Sequence, residues 1–545
     1  MILRSNKKDR REDILYATWQ CQASRGKRVP YYNKCRDLYL YGGDPSVITR
    51  ANKIKPAINN QSSFLYAPHL IKFWMEVPPE EEEAETYDRV DPAVDSLGLA
   101  WHDSGVGKIF KRGVTWALVY GSTIMSILPR LRTDRKVEIV ADWVHPQNFG
   151  VWDDMQPEIE KQEAVCLTSY LSLEQIKRII RHHPNRREIE NSLQTGDRQQ
   201  AAFEGMITTP PNATVFDIKP EFWNWYSKQF DYRPTYRMPI YEVTDTYIFD
   251  DDLEDYRICT TTGDFVIWDR PMSDCAVPGM LPFVKICADE HPEWFWGISL
   301  ADDLSKLQMW YVQRMDDLDK LCGRAADPPV AAIGVGQSFD EKIDTYKRRS
   351  GKITLPAGAD LKSFQPDIPA QLFELIGGVD TMIQEQAGHR FNMLGKDEKA
   401  GRGGGGLEKL LRIAGSQMLS KAYDIELNAQ DCGSLLQAYE RRYKDAHLID
   451  EKGRPFLLAN FPSDTKVRVD GHSSSPIFAE DAFQVGVTLK RLNVITDEML
   501  LGMANIPNLS RAKHDLRIIG FQKAIAEQVV RKQQELKRSG EPAAK

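Results

Sequence analysis

Residues 299–324 read Ser299-Leu-Ala-Asp-Asp-Leu-Ser-Lys-Leu-Gln-Met-Trp-Tyr-Val-Gln-Arg-Met-Asp-Asp-Leu-Asp-Lys-Leu-Cys-Gly-Arg324. Leu300, Leu304, Leu307, Tyr311, Met315, Leu318 and Cys322 recur at spacings of three and four and share one face of a helix. Asp302, Asp303, Lys306, Arg314, Asp316, Asp317, Asp319 and Lys320 fall mostly off that face. At the rise of an α-helix this stretch would be roughly 39 Å long. Asp327-Pro-Pro329 stops it, because proline lacks an N–H and restricts the residue before it. A second helix is predicted from Asp367 as N-cap, with Pro369 tolerated in its first turn. Leu372, Ile376, Val379 and Ile383 form its stripe, with Leu375 and Met382 beside it. Between the helices, residues 330–335, 351–356 and 361–364 read as short strands. The pattern is a two-helix stalk carrying a small β module.

After the second helix, Gly395, Gly401 and the run Gly403–Gly406 forbid a fixed helix and cost entropy to order. Arg390, Lys396, Lys399 and Arg402 place four cations on the same stretch. A long helix is predicted from Leu407 to Lys444, on the order of 55 Å. Its stripe is Leu407, Leu411, Ala414, Met418, Ala422, Ile425, Ala429 and Cys432.

This order of elements resembles the portal, or head-to-tail connector, protein of tailed double-stranded DNA bacteriophages. The residues that carry the resemblance are Trp294-Phe-Trp-Gly-Ile-Ser-Leu-Ala-Asp-Asp303, the Asp327-Pro-Pro329 exit and the glycine-rich loop. The resemblance implies an α+β fold, built as an elongated, ring-forming subunit. It implies a wing over residues 1–290, a first stem helix over 291–326 and a clip over 327–366. A second stem helix over 367–389, a tunnel loop over 390–406 and a long wing helix over 407–447 would follow. Wing return strands over 448–477 and a helical crown over 478–545 would complete the chain. Leu300, Leu304, Leu307, Tyr311, Leu318, Leu372, Ile376, Val379 and Ile383 would then form the ring interface of the stem. The resemblance further implies a dodecameric homo-oligomer at one capsid vertex of a virion, assembled in the host cytoplasm. Its partners would be the terminase large subunit, head-to-tail adaptor proteins, and the major capsid and scaffolding proteins. Double-stranded DNA would pass through the ring during packaging and ejection, without sequence readout. No enzymatic activity, cofactor or metal is expected.

The whole chain is consistent with such a component. Its 545 residues are 42% hydrophobic and 27% charged, as in a soluble globular protein. A net charge of −7 argues against a surface that grips nucleic acid everywhere. The eight cysteines form no C-x-x-C pair and read as reduced core thiols. Residues 4–13 are dominated by charge, with no apolar signal region after them. The longest charge-free run, 113–129, is too short and too polar for a membrane span, so no membrane partner is expected.

Along the chain, residues 5–28 are predicted to form a charged, solvated helix around Ile14, Leu15 and Trp19. Residues 52–76 and 91–120 read as helical, with Gly121 as a helix end. Residues 123–128 and 136–141 are a predicted hairpin, and 143–152 an aromatic extended segment. Ser172-Leu-Glu-Gln175 is a capping box opening a helix to about His183. Residues 192–213 read as a loop; 240–249, 256–261, 265–268 and 282–286 read as strands. Residues 454–460 and 466–469 are predicted return strands, and 479–492, 496–503 and 510–537 helices.

Few motifs carry chemistry. Gly401-Arg-Gly-Gly-Gly-Gly406 satisfies G-x-G-x-x-G, but a helix precedes it where nucleotide binding needs a strand, and no G-K-[ST] follows. A nucleotide-binding enzyme is therefore the weaker alternative, beside another ring-forming neck or baseplate protein. Asp316, Asp317 and Asp319 are interleaved with Arg314 and Lys320, which fits salt-bridged helix neighbours better than a magnesium site. His182-His183 lacks a ligand partner at helical spacing. Arg390, Lys396, Lys399 and Arg402 suit phosphate contacts that need charge but no base geometry. Lys342, Lys347, Arg348 and Arg349 form a second basic cluster in the β module, suited to a protein partner such as a motor or adaptor.

Overall fold

The structure is a computed structural model. It describes residues 7–43, 52–66, 71–76, 105–131, 137–195, 240–326, 330–333, 360–363, 369–388, 404–443, 466–469 and 486–492, with isolated positions at 94, 97, 98, 100, 101 and 500. In chain order it contains α1 (Lys7–Tyr41), α2 (Ile54–Leu65), β1 (Phe73–Glu76), α3 (Val106–Tyr120), β2 (Ser122–Leu131), β3 (Val137–Val144), β4 (Phe149–Val151) and β5 (Ala164–Ser172). Then come α4 (Leu173–Ile179), α5 (Arg186–Thr195), β6 (Ile240–Asp250), β7 (Asp255–Thr262), β8 (Phe265–Pro271) and β9 (Phe283–Cys287). The last are α6 (Leu300–Asp303), α7 (Ser305–Ala326), β10 (Val330–Ile333), β11 (Asp360–Ser363), α8 (Ala370–Gln386), α9 (Gly404–Arg442) and β12 (Lys466–Val469). The mixture of helix and sheet is the one expected from the sequence.

The chain divides into two compact units. The first takes Met1–Ser62, Arg112–Leu128 and Asp142–Met418; the second takes Ser63–Lys111, Pro129–Ala141 and Leu419–Lys545.

The first unit is built on a five-stranded antiparallel sheet in the order β4-β5-β6-β7-β8. Side chains alternate across β6, so its two faces meet different partners. Ile248 joins Ala164, Cys166 and Cys259 on one face, and these pack on Ile14, Ala17 and Cys21 of α1. Thr18 Oγ1 and Thr246 Oγ1 lie 2.7 Å apart, and Gln22 Nε2 donates to Glu242 (3.0 Å) and Thr244 (2.9 Å). Arg10 bridges Asp250 at 3.2 Å and Asp269 at 3.3 Å. On the opposite face Tyr241, Val243 and Ile267 pack on Ile176 of α4, Ile180 at its C-cap and Ile189 of α5.

α1 corrects one expectation: it is a packed helix of the core rather than a solvated one. Its buried face is Ile14, Ala17, Thr18, Cys21, Ser24, Arg28, Tyr32, Cys35 and Leu38, where small and polar residues hide the periodicity. Strand β5 is a further element that the sequence does not signal over 164–171; all nine of its residues, Ala164–Ser172, pair with β6. The Ser172 capping box is present, but its helix ends at Ile179 rather than His183. α5 follows and reaches into the expected loop. α9 starts at Gly404, so Gly404–Gly406 lie inside a helix and not in the loop. α8 begins at Ala370 with Pro369 at its N-cap; Asp367 lies outside the described residues.

In the second unit, β1 pairs with β12 in antiparallel register from Phe73↔Val469 to Glu76↔Lys466. Residues 73–76 were expected to be helical. Their burial alternates strictly, with Phe73 and Met75 inward, which is the period of a strand. A Cβ on Gly433 of α9 would sit 2.9 Å from both Phe73 and Val467, so this glycine lets the helix approach the strand pair. Ala422, Ile425, Ala429, Cys432, Leu436 and Tyr439 bury the rest of that helix face.

Glu440 stands on the same helix, 2% exposed, and its Oε1 has no hydrogen-bond partner. Burial pushes its carboxyl up to about 8. A raised folded pKa means that the native state holds the proton more tightly. The associated stability is therefore present at pH 4 and lost as pH rises through about 8, at about 1.4 kcal/mol per unit between the folded and unfolded values. Glu440→Gln is expected to melt with wild type at pH 4 and several degrees above it at pH 8.5. Scanning calorimetry at the two pH values checks this; equal melting at pH 8.5 would show the carboxyl to be solvated.

All eight cysteines are free thiols. Among the described residues, no helix is long and apolar enough to cross a membrane.

Candidate assembly surface on the paired helices

The segment leading into the paired helices is pinned from three sides. Trp296 Nε1 donates to Asp154 Oδ1 at 2.8 Å, and Ser24 Oγ donates to the same oxygen at 2.6 Å. The Arg28 guanidinium is 5.0 Å from the ring centroids of Tyr31, Trp294 and Trp296 and 5.2 Å from that of Tyr32. Such a desolvated cation among aromatic faces is stabilised by their quadrupoles. Ser299 caps α6 by accepting from Asp302 N at 3.1 Å, while its Oγ donates to Val119 O at 2.5 Å. Lys34 Nζ holds Asp302 at 2.6 Å, and that hydrogen bond raises the lysine pKa. Gly121, at φ +92°, ends α3 against Gly297; a Cβ on it would lie 2.1 Å from Gly297 O.

α7 and α8 pack on each other, and Gln386 Nε2 donates to Asp303 O at 3.4 Å. The end of α8 therefore meets the start of the first helix, as in an antiparallel pair. The base of the pair is fixed to the lead-in of α2. Lys53 N donates to the buried Gln308 Oε1 at 3.0 Å, and Lys53 Nζ pairs with Asp380 at 2.9 Å beneath the Tyr311 ring. Burial opposes the Lys53 charge, but Asp380 outweighs it and the pKa is raised.

The sequence-predicted stem residues separate into two groups. Leu300, Leu304, Tyr311, Val379 and Ile383 are buried within this single chain. Leu307, Leu318, Leu372 and Ile376 are half-buried. The large apolar side chains left open on the two helices are others: Met309 (48% exposed), Phe373 (53%), Leu375 (40%) and Met382 (49%). Leu375 and Met382 flank the apolar stripe in sequence. Met309 and Phe373 lie off it, and their size was the only available signal. Exposure rises away from the fixed base, and residues 369–378 are exposed except Leu372 and Ile376. Four large apolar side chains open to solvent on one helix pair make it the candidate assembly surface of this chain.

At the far end of the pair, β10 and β11 join in antiparallel register, Val330↔Ser363 to Ile333↔Asp360. Two of the three expected strands thus pair directly. Lys342, Lys347, Arg348 and Arg349 lie outside the described residues, as do Arg390, Lys396, Lys399 and Arg402. The base of the expected loop is described: Gly388 turns at φ +76° beside Met418. Arg314 pairs with Asp317 at 3.0 Å, the salt-bridged arrangement expected for that helix. Among the described residues, no group of three or more His, Cys, Asp or Glu is placed to hold a metal ion.

No protein-family model matches the sequence, and no curated protein matches it. Among solved structures, the chain is similar to one from the neck of an empty GTA particle computed with C6 symmetry. The two share 10% identity at a TM-score of 0.39, over 87% of this chain and 94% of the other. A TM-score of that size establishes no common fold, so the function must be argued from this chain's own residues.

Proposed function

We propose that this chain is the portal subunit of a tailed-phage-like particle. Twelve or a similar number of copies form a ring at one capsid vertex, and double-stranded DNA enters and leaves through it. The observation that carries this reading is the antiparallel pair α7–α8. Its base is locked into the fold, its outer apolar side chains are exposed, and a two-strand module joins its far ends. Identical arms placed side by side would cover Met309, Phe373, Leu375 and Met382, which one chain leaves open. The β module would meet the terminase large subunit and later the head-to-tail adaptors, through the Lys342, Lys347, Arg348 and Arg349 cluster. Major capsid and scaffolding proteins would surround the ring. The protein acts as a conduit and performs no catalysis; ATP hydrolysis belongs to the motor.

The cationic stretch after α8 would touch DNA phosphates through Arg390, Lys396, Lys399 and Arg402. Contacts of this kind must be weak, because strong ones multiplied around a ring would stop translocation. Deleting residues 391–403 is expected to leave ring assembly intact and to shorten the nuclease-protected DNA in particles. Full-length DNA, stably retained, would show that the segment is a passive connection. Loss of rings would show that it is part of the subunit contact.

A further inference from the structure

We propose that the α4–α5 hairpin is a docking site for the phosphate backbone of duplex nucleic acid, read without regard to sequence. Residues 172–195 contain Lys177, Arg178, Arg181, Arg186 and Arg187 against Glu174, Glu188 and Glu190, a local excess of cations on a chain of net charge −7. Two carboxylates are already engaged: Glu174 holds Lys177 at 2.9 Å, and Glu190 holds Arg186 at 2.6 Å. Arg178, Arg181 and Arg187 are exposed and form no salt bridge among the described residues.

The hairpin that carries these three arginines is itself fixed. Ile176, Ile180 and Ile189 are buried against Tyr241, Val243 and Ile267 of the sheet. The turn between the helices is closed by His183 N to Ile180 O (2.9 Å), Arg186 N to His183 O (3.2 Å) and Asn185 N to His183 Nδ1 (3.2 Å). Little ordering entropy remains for these side chains' backbone to lose on binding.

The chemistry of the face selects the partner. A protein interface needs apolar or aromatic anchors at its centre. Here the exposed residues include Arg178, Arg181, His182, Asn185, Arg187 and Asn191, and none is a large apolar side chain. Forked guanidinium donors without anchors match phosphate oxygens, which demand charge and bidentate hydrogen bonds but no shape. This inference does not depend on ring formation, and it adds a second DNA contact to the one proposed after α8.

The test is fluorescence anisotropy of a random-sequence 30-base-pair duplex titrated with the full-length protein at 50 and 200 mM NaCl. Three phosphate contacts give a log–log salt slope of about −2.7. Arg178→Glu, Arg181→Glu and Arg187→Glu together are expected to weaken binding at least tenfold at 50 mM and to remove that part of the slope. The three Arg→Gln changes should fall between. Circular dichroism and thermal melting of both variants would match wild type, since the side chains are exposed. Unchanged affinity and slope would overturn the proposal. So would variants that alter the oligomer while leaving duplex binding intact, which would make the hairpin a subunit contact. The 391–403 deletion, titrated in parallel, should retain the arginine-dependent part; if the deletion removes all binding, the hairpin is not a site.

Discussion

Gly121→Val is expected to yield no folded protein at 37 °C. The residue sits at φ +92°, where an L side chain is strained, and its Cβ would fall 2.1 Å from Gly297 O and 2.7 Å from Gly297 C. Neither atom can yield freely. A Cβ on Gly297 in turn would meet Cys287 Sγ, Gly121 O and Asp289 O. Ser299, two residues on, is held by Val119 O, and Ile298 N donates to Asp289 O at 2.9 Å. The whole lead-in to α6 would have to move, and with it the base of the paired helices. A cost of about 4 kcal/mol or more is expected, a large share of a domain's net stability. Soluble yield and urea unfolding measure it. A variant with wild-type unfolding would mean that this glycine contact is not formed.

The second large effect is on assembly. Phe373→Asp combined with Met382→Asp is expected to leave the subunit folded, because both side chains are about half exposed in the single chain. If these residues are covered by a neighbouring copy, each would place an unpaired carboxylate in the contact. Such a charge costs about 3 kcal/mol or more once buried, and closure repeats the cost at every interface of a ring. Size-exclusion chromatography with light scattering should therefore show subunits or small oligomers. Leu304→Asp or Val379→Asp should behave differently, destabilising the subunit itself, since both positions are already buried in it. Unchanged rings from the Phe373/Met382 variant would place the ring contact elsewhere.

The sequence revealed the paired helices because Leu300, Leu304, Tyr311, Val379 and Ile383 obey helical spacing and are buried. Periodicity reports burial, however, and says nothing of the partner. Of the nine stripe positions expected at the ring, five are buried within this chain and four are half-buried. Two of the four open positions, Met309 and Phe373, are apolar residues off the stripe. The β6–β7–β8 meander was also legible, from β-rich runs separated by Thr262-Gly-Asp264. α1 was missed as a core helix because its inner face includes Thr18, Ser24 and Arg28, which hydropathy does not count. Arg28 is buried by aromatic rings that arrive from residues 294 and 296, which no local window contains. β1 was missed because the four residues Phe73–Glu76 are too few to show a period of their own, and their partner β12 lies far along the chain, at Lys466–Val469.

The central claim is that copies of this chain close into a ring around a duplex-sized hole. The direct measurement is electron microscopy of the purified protein, with mass from native mass spectrometry on the same sample. The account predicts closed rings of uniform subunit number, about twelve, with a central opening wide enough for double-stranded DNA and the α7–α8 pairs lining it. A monomer at every concentration tested, or an open filament of head-to-tail copies, would contradict it.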